Sequence, residues 1–547
     1  MDFYQISHTL FSHRSSSRIY QHLASCRSFV RKYSDDSVQK HIMDLDKKFR
    51  TKGPSTPPAS ICIVGAGVAG LRCADVLLQH GFDVTILEGR DRIGGRVTQA
   101  ALPSGHLADL GANWIHGTES NPILDLAKET NTPTHDWGES FNIFDEDGKL
   151  LKDGMSLNNT MWGIIVKAFK HSADNTATIG PKESLYDFFL EKVQEIFPSK
   201  DESRKREIMM QMTEMWGAFV GSPVQTQSLK FFWLEECIDG ENLFCAGTYH
   251  KILETIAKPA LTGAKVNLST KVTSVKTLSE KVSVHTENGN IFEFDEIVIT
   301  CPLGWLQKNK AVFHPELPTR FSQAIDAIGY GTLEKVYISF PRAFWLGSEE
   351  KPDETPHTGF TQWIAPSYTK STNPERWNQE VVDLATLPGE CAHPTLLFYL
   401  YGDQSVSFGK ELSSMLTQKK RDSYLINFFK PYYSRLPHFN EESRDCIPVQ
   451  CLATTWVSDD LAGNGSYTTI RTGVQEADKD IEIMREGLPG RRIWFAGEHT
   501  APFVALGTVT GAYWSGEAVA KRIASSYGVD GGEEMEVKGV ENKCSKE

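Results

Sequence analysis

The chain has 547 residues, and 57 Lys and Arg against 70 Asp and Glu give it a formal net charge of −13. That length predicts two or three domains, and the negative charge argues against nonspecific binding to nucleic acid. The sequence has no apolar run of membrane-spanning length. Its ten cysteines show no C-x-x-C pair and no zinc-ligand spacing, which indicates a reducing compartment and no metal site.

The first 58 residues differ in composition from the rest. Between Phe3 and Ser34 there is no acidic residue, while basic residues accumulate among serines: Arg14, Arg18, Arg27, Arg31 and Lys32. This composition is typical of a mitochondrial transit peptide, and an unstructured extension or an early start codon explains it equally well. We therefore expect an intracellular protein, mitochondrial or cytoplasmic.

The stretch 60–88 predicts a dinucleotide site. An apolar run over 61–64 indicates a buried strand, a helical segment follows it, and a second strand over 84–87 ends on an acid. Between the first strand and the helix lie three glycines at G-x-G-x-x-G spacing, namely Gly65, Gly67 and Gly70. Such glycines permit a tight turn, close approach of a pyrophosphate and packing of helix on strand, and Glu88 is placed for a ribose.

The following residues favour FAD over a nicotinamide. Glu88 opens the pattern E-x-x-x-R-x-G-G-R, completed by Arg92, Gly94, Gly95 and Arg96. This pattern resembles the extended dinucleotide signature of flavin-dependent amine oxidases, where arginines bind the pyrophosphate and glycines let the chain pass beneath it. Arg90 and Arg92 alone would also fit a solvated basic turn.

The remainder predicts a second domain inserted into the cofactor domain. Helical periodicity marks 185–196 and 206–219, and strands with an Asn288-Gly289 hairpin turn follow over 266–275 and 281–301. Further strands over 334–340 and 395–400 precede a helix around 412–429. We assign 1–58 to an extension, 59–135, 246–310 and 451–525 to the cofactor domain, 136–245 and 311–450 to the second domain, and 526–547 to a disordered tail.

Together these blocks resemble the flavin-containing amine oxidase superfamily, most closely its polyamine oxidase and spermine oxidase branch. The resemblance covers 59–525. It implies an α/β (α+β) fold of two domains: a Rossmann-like FAD domain, discontinuous in sequence, and a substrate domain of mixed sheet and helices. Ser466 stands where monoamine oxidases carry a flavin-linking cysteine, so the resemblance implies noncovalent FAD.

The resemblance also implies roles for cofactor-binding residues. Glu88 would bind the adenosine ribose, Arg96 with Arg90 or Arg92 would lie near the pyrophosphate, and Val272 would meet the adenine. The ribityl chain would meet Gly497 and Glu498. Thr508 and Val509 precede a helix whose N-terminal amides would face flavin N1 and O2, where reduced flavin carries negative charge.

Three residues are implied at the reaction centre. Lys335 matches the lysine that holds a water at flavin N5, although a strand lysine is ordinarily a solvated edge residue; if it is buried, its pKa should fall. His116, in the sequence WIHG, matches a histidine beside the substrate, although loop histidines are often structural. Tyr467 matches one aromatic wall for the amine. Thr508 occupies the place of the second wall, which predicts a wider site.

The implied reaction is FAD-dependent oxidation of an amine, most closely a polyamine such as spermine, spermidine or an N-acetyl form. Hydride would pass from the α-carbon to flavin N5, water would hydrolyse the iminium to an aldehyde and a smaller amine, and O2 would be reduced to H2O2. Three acidic residues could grip distal ammonium groups or could be plain surface carboxylates: Glu119, Glu235 and Glu236.

Several alternatives stay open. A monoamine or another pathway-specific amine is compatible with the same motifs, and so is a dehydrogenase that reduces a quinone. An amino acid oxidase would need an arginine after Gly111-Ala112, where the chain has Asn113. A histone demethylase would need a chromatin-binding module and a long helical insertion, which we do not identify. A noncatalytic FAD-binding scaffold would not need Lys335, His116 and Tyr467 together. The oligomeric state is not predicted.

Overall fold

The computed structural model describes residues 58–529 except 139, 279, 349–350 and 353–356. Within that part, the α-helices are α1 Val68–Gln79, α2 Pro122–Glu129, α3 Gly154–Asn175, α4 Leu185–Ile196, α5 Ser203–Thr213, α6 Gly217–Val220, α7 His250–Gly263, α8 Leu303–Lys308, α9 Thr319–Ala327, α10 Gly402–Ser414, α11 Gln418–Tyr433, α12 Ala477–Glu486 and α13 Val509–Ser526.

The strands of the described residues are β1 Ser60–Val64, β2 Asp83–Leu87, β3 Gln99–Ala101, β4 Leu107–Asp109, β5 Trp114–Ile115, β6 Phe141–Phe144, β7 Leu243–Phe244, β8 Lys265–Asn267, β9 Val272–Thr277, β10 Val282–Thr286, β11 Ile291–Phe294, β12 Glu296–Ile299, β13 Phe313–His314, β14 Gly329–Tyr330, β15 Leu333–Ser339, β16 Gly347–Ser348, β17 Lys351–Pro352, β18 Phe360–Trp363, β19 Gln379–Asp383, β20 Thr395–Tyr401, β21 Gln450–Ala453, β22 Thr468–Thr469 and β23 Ile493–Phe495.

A parallel sheet is assembled from segments far apart in the chain. Its strand order is β8-β2-β1-β12-β23, and all of its pairs are parallel. In β1, Ile61 and Ile63 pack into the apolar cluster that contains α1, α7 and α13. Cys62 and Val64 pack into a cluster on the other face. Burial on both faces explains the uninterrupted apolar run in the sequence, as in other parallel sheets.

A six-stranded mixed sheet forms the second layer of the fold. Its order is β21-β15-β20-β19-β18-β6; β6 and β18 are parallel and the other pairs are antiparallel. On β15, Val336 and Ile338 pack toward α10 and α11. Tyr337 packs on the opposite face with Ala108 and Phe244. Side chains alternate along a strand, so Lys335 shares the face of Tyr337.

These two sheets confirm the predicted fold class, α/β with a Rossmann-like sheet discontinuous in sequence and a mixed-sheet partner with helices. The hairpin at Asn288-Gly289 is confirmed between β10 and β11, with Gly289 at φ +82°. The domain boundaries stay a prediction. The strand β21 spans the predicted boundary at 451 and belongs to the six-stranded sheet.

Two predicted helices are broken in the structure. The helix expected around 412–429 is α10 and α11, because Thr417 caps α11 by accepting a hydrogen bond from the Lys420 amide. The helix expected over 206–219 ends at Thr213 and continues as a 3₁₀ turn before α6. There Gly217 lies against Tyr401, and a Cβ on Gly217 would come within 2.1 Å of that ring.

The chain ends are described only in part. Residues 1–57, which carry the predicted transit sequence, lie outside the described residues. Of the predicted tail 526–547, the structure describes 526–529: Ser526 ends α13, and the Tyr527 hydroxyl donates to Glu296 at 2.9 Å. No helix in the described residues is long and apolar enough to cross a membrane.

Candidate active site

The loop after β1 has the geometry of a phosphate-binding turn. Gly65 has φ +112°, a value that L-residues rarely adopt. A Cβ on Gly70 would lie 2.1 Å from the Gly65 carbonyl oxygen, so α1 packs against the loop through this glycine. A Cβ on Gly67, the N-cap of α1, would meet nothing within 4 Å. Gly67 therefore leaves open space at a helix N-terminus, where a phosphate could lie.

Glu88 holds this loop from the end of β2. It is buried, and its carboxylate accepts hydrogen bonds from the amides of Ala66 at 2.7 Å and Arg90 at 2.8 Å. A carboxylate has about four acceptor positions, so both oxygens can still accept hydrogen bonds from hydroxyl groups. The acid predicted from spacing therefore lies beside the glycine loop.

The second glycine pair lies against the first loop. Gly94 has φ +91° and Gly95 has φ +58°. Gly67 and Gly94 form a parallel bridge, and a Cβ on Gly95 would lie 3.5 Å from the Gly67 Cα. The two glycine-rich segments of the sequence thus border the same open space.

Arg90 and Arg92 both bind protein groups near the glycine pair. Arg90 pairs with Asp459 at 2.9 Å. Arg92 donates to the carbonyls of Ile93 at 3.1 Å and Gly95 at 3.0 Å, and burial lowers its pKa. In these positions both side chains fix the loop that contains the glycine pair. A direct bond from either to a pyrophosphate stays a prediction.

Arg96 reaches the last segment of the cofactor sheet. Its guanidinium donates to Glu498 at 3.0 Å and to the carbonyl of Ser466 at 2.6 Å. Glu498 is buried and also accepts from the Thr468 amide at 3.3 Å. Gly497, at φ +148°, precedes this acid. A contact between the ribityl chain and Gly497 or Glu498 stays a prediction.

The last helix is present but begins at Val509, a residue that the prediction placed before it. Thr508 is its N-cap and accepts a hydrogen bond from the Gly511 amide at 2.9 Å, and α13 starts at Val509. The helix N-terminus is the positive end of its dipole, which suits an electronegative ligand edge. Val272, implied at the adenine, is buried at the start of β9.

Lys335 is a buried lysine, not a solvated edge residue. It is 4% exposed, and its ammonium donates to the carbonyl of Gly111. The Nζ atom lies 6.0 Å from the centre of the Tyr399 ring. Burial lowers the pKa of Lys335 to about 7, against the opposing effects of Asp109 and Glu334. The condition stated from the sequence, a lowered pKa on burial, is met.

Tyr399 is a site residue that the sequence did not single out. It pairs with Lys335 across β15 and β20, and its hydroxyl accepts from Asn113 at 3.0 Å and Trp114 at 3.1 Å. It thereby connects the loop before His116 to the strand of Lys335. Only sheet register could have placed it there, because no local motif contains it.

His116 is held by one defined hydrogen bond. Its Nδ1 lies 3.3 Å from the Asn242 Oδ1, which also accepts from the Gly117 amide at 3.2 Å. Because that oxygen can only accept, we assign the proton of the neutral imidazole to Nδ1, which leaves Nε2 as an acceptor. Burial lowers the pKa of His116. Burial thus favours the neutral ring, whose Nε2 atom can accept a hydrogen bond from an N–H group.

Tyr467 joins the substrate-side segments to the cofactor side. Its hydroxyl donates to the carbonyl of Phe219 at 2.8 Å. Burial raises its pKa, and the charges of Glu235, Tyr399 and Glu498 act in the same direction. The structure thus brings Tyr467 into one electrostatic environment with Tyr399, which is paired with Lys335.

The three predicted acidic residues differ in setting. Glu235 accepts from the Ile470 amide at 2.9 Å, and burial raises its pKa to about 7. Burial also raises the pKa of Glu236 to about 7, with a further effect from Asp239. Glu119 is exposed. Glu235 is the one of these acids whose charge acts on Tyr467.

Among the described residues, no group of three or more His, Cys, Asp or Glu side chains could hold a metal ion. A dinucleotide cradle beside a buried lysine and tyrosines is the arrangement of a cofactor-dependent oxidoreductase. A family model for flavin containing amine oxidoreductases matches residues 68–524. The chain therefore belongs to the flavin-containing amine oxidoreductase family.

Individual relatives carry two different activities in their names. The chain is 26% identical to probable polyamine oxidase 4 of Arabidopsis thaliana over 478 residues, 85% of this chain and 86% of that protein. It is 26% identical to polyamine oxidase 2 of the same plant over 519 residues, 91% of this chain and 94% of that protein. It is 27% identical to lysine-specific histone demethylase 1 homolog 2 of Oryza sativa subsp. japonica over 502 residues, 86% of this chain and 58% of that protein.

The residues present fit a flavin cofactor. The open space at Gly67 would accept a phosphate, Glu88 can accept hydroxyl groups, and the N-terminus of α13 offers amides. A flavin dinucleotide requires these three features: space for phosphate, an acceptor for hydroxyl groups and amide donors.

Proposed function

We propose that the protein oxidises polyamines with noncovalently bound FAD. The observation that carries the proposal is the buried Lys335, which pairs with Tyr399 across β15 and β20. A scaffold would gain nothing from burying a lysine at a cost in stability. The names of the two polyamine oxidases, at 26% identity, support the same substrate class.

The site favours an amine that is neutral at the reacting nitrogen. A bound flavin would supply the hydride acceptor for the carbon next to that nitrogen. Tyr467 provides one aromatic face for the nitrogen, and the Nε2 atom of His116 can accept a hydrogen bond from one of its N–H groups. Lys335, with a pKa lowered to about 7, can hold or release a proton at Nζ near neutral pH.

A second charge on the substrate would suit the acidic side of the site. Glu235 has a pKa raised to about 7 by burial, so a nearby ammonium would favour its ionised form. A monoamine offers no such group. This difference supports a substrate with two or more nitrogens.

Noncovalent binding is supported by the setting of Ser466. Its hydroxyl donates to the Leu333 carbonyl at 2.9 Å and accepts from the Leu333 amide at 2.7 Å. Ser466, at the position of a linking cysteine, is therefore hydrogen-bonded to both backbone groups of Leu333 in β15. Acid denaturation should release all of the yellow colour into the supernatant, and mass spectrometry should identify it as FAD. Colour that stays with the pellet would contradict the proposal.

The test of the substrate is anaerobic stopped-flow reduction of the flavin. Spermine, spermidine, their N-acetyl forms, a monoamine, an amino acid and a dimethyl-lysine histone peptide are compared. Fast bleaching by polyamines, with H2O2 formed on admission of air, is the expected result. Fast bleaching by the peptide alone would favour the activity named for the demethylases, which are equally similar to this chain. Bleaching without H2O2 would indicate another electron acceptor.

For location, we propose mitochondria or cytoplasm from the acid-free, basic stretch Phe3 to Ser34. A fluorescent fusion of the full chain, compared with one lacking residues 1–34, tests this. Mitochondrial signal that disappears with the deletion would assign the transit sequence, and cytoplasmic signal from both fusions would assign the cytoplasm.

A further inference from the structure

Asp109 is a buried carboxylate that is not among the residues implied at the cofactor or the reaction centre. It ends β4 and is 3% exposed. The backbone amide of Tyr249 donates to its two oxygens at 3.2 and 3.1 Å, and the Gln99 side chain donates at 2.6 Å. Neutral amide donors therefore hold the carboxylate in place, and they leave its charge to act through space.

The segment after Asp109 lies directly across the strand of Lys335. The Lys335 ammonium donates to the Gly111 carbonyl, and the Tyr337 hydroxyl donates to the Asp109 carbonyl at 2.6 Å. Lys335 and Tyr337 share one face of β15, so two successive side chains of that face bind residues two apart in the segment. Two hydrogen bonds therefore tie the segment of Asp109 to the strand of Lys335, and both side chains are buried.

Other titratable groups near Lys335 have their own partners. Glu334, on the opposite face of β15, accepts from the Val457 amide at 2.8 Å and from the Thr454 hydroxyl. On the same face, across Tyr399, Glu380 accepts from Gln362 at 2.8 Å. Tyr399 and Tyr337 are phenols whose pKa values burial raises, so both are neutral. Asp109 is the carboxylate placed to act most strongly on Lys335.

The pKa directions agree with this geometry. Burial lowers the pKa of Lys335, and the charge of Asp109 is the strongest effect in the opposite direction, followed by Glu334. Burial likewise raises the pKa of Asp109 to about 7, while the Gln99 hydrogen bond and the charge of Lys335 oppose the rise.

We propose that Asp109 is a positioning residue that controls the charge of Lys335 through space, in the geometry that the hydrogen-bonded segment 109–111 fixes. An ionised Asp109 favours the protonated form of Lys335. Without that carboxylate, the equilibrium moves further toward the neutral amine. The consequence for catalysis rests on the proposed role of Lys335, whereas the electrostatic coupling itself does not.

The test is a double-mutant cycle in thermal stability as a function of pH. The variants are D109N, K335M and the double mutant, compared with the parent from pH 5 to pH 10. Lys335 has a folded pKa of about 7 and an ordinary value of 10.5. Between these values the unfolded chain binds more protons, so Lys335 makes stability rise with pH in that window.

The difference in Tm between the parent and K335M should therefore rise from about pH 7. In the D109N background the same difference, between D109N and the double mutant, should begin its rise about one pH unit lower or more. Identical difference curves in the two backgrounds would overturn the proposal. E334Q is the matched control, and a larger shift in E334Q than in D109N would also overturn it.

The holoenzyme gives a second readout. The pH profile of flavin reduction should have a limb that moves to lower pH in D109N and returns in D109E. A uniform loss of rate with an unmoved limb would mean a structural role and would contradict the proposal. If the stability curves are coupled but no amine reduces the flavin, the inference stands and the proposed function is rejected. If amines reduce the flavin but the stability curves are not coupled, the proposed function stands and the inference is rejected.

Discussion

Arg96 and Glu498, 402 residues apart, form a hydrogen-bonded ion pair of 3.0 Å in the candidate cofactor site. The pair joins the glycine-rich beginning of the Rossmann-like sheet to its last strand. The Glu498 side chain is 4% exposed and that of Arg96 is 25% exposed. The ion pair therefore joins the first and last parts of the region 68–524 that matches the family model.

Removing the arginine should destabilise the protein more than removing the acid. R96M leaves a buried carboxylate without its cation, and we expect a loss of about 2–3 kcal/mol in the free energy of unfolding. E498Q should cost less because the amide oxygen still accepts from the guanidinium, and R96M/E498Q should recover part of the loss. Urea unfolding followed by circular dichroism measures all three. Additive losses would contradict the coupling.

The glycine loop offers a test that separates folding from cofactor binding. Gly67 has φ −77° and a Cβ there would meet nothing within 4 Å, so G67A should change the stability of the flavin-free protein by about 0.5 kcal/mol or less. The added methyl group would occupy the proposed phosphate space, and flavin affinity should fall about tenfold or more, equivalent to about 1.4 kcal/mol. The flavin-to-protein absorbance ratio after dialysis measures the affinity loss.

Gly70 is the matched control for this experiment. A Cβ at Gly70 would lie 2.1 Å from the Gly65 carbonyl oxygen, so G70A should cost about 2–3 kcal/mol in stability even without flavin. If G67A also lowered the melting temperature of the flavin-free protein, the open space at Gly67 would be misassigned.

The sequence predicted those parts of the site that local chemistry determines. The strand, glycine turn and helix around Gly65 to Gly70 follow from spacing, and so does the position of Glu88 beside that loop. The last helix follows from the small residues that open it, although it begins at Val509, which the sequence placed before the helix. In each case the signal lies within one supersecondary unit.

Contacts between distant segments could not be predicted in this way. Tyr399 meets Lys335 only through the register of β15 and β20, and Asp109 lies near Lys335 only because two sheets pack together. One helix end was also missed, at Thr213, where α5 passes into a 3₁₀ turn before α6. Period and composition report which face of an element is buried, but they do not report its neighbour.

The role of the Tyr467 ring can be separated from that of its hydroxyl. Y467F removes the hydrogen bond to Phe219 and should cost about 1 kcal/mol in stability while kcat/KM for an amine stays within a few-fold. Y467A removes the aromatic face and should lower kcat/KM about tenfold or more. Stopped-flow reduction at several amine concentrations measures the rate effect in both variants. Equal losses in the two variants would assign the effect to the hydroxyl.

Glu235 gives a pH prediction with a definite sign. Its folded pKa is about 7 against an ordinary value of 4.5, chiefly because of burial. Between these values the folded protein binds a proton that the unfolded chain has lost, so Glu235 makes stability fall as pH rises from about 4.5 to 7. E235Q cannot ionise, and its amide oxygen can still accept from the Ile470 amide. Relative to the parent, E235Q should therefore melt higher at pH 8 than at pH 4.5.

A polyamine should reverse this advantage, because a bound ammonium favours the ionised carboxylate. At pH 8, spermine should raise the melting temperature of the parent more than that of E235Q, and a monoamine should not distinguish the two proteins. Differential scanning fluorimetry with and without each amine measures this. If spermine stabilised both equally while the pH curves still differed, Glu235 would be a buried acid that takes no part in binding the distal ammonium.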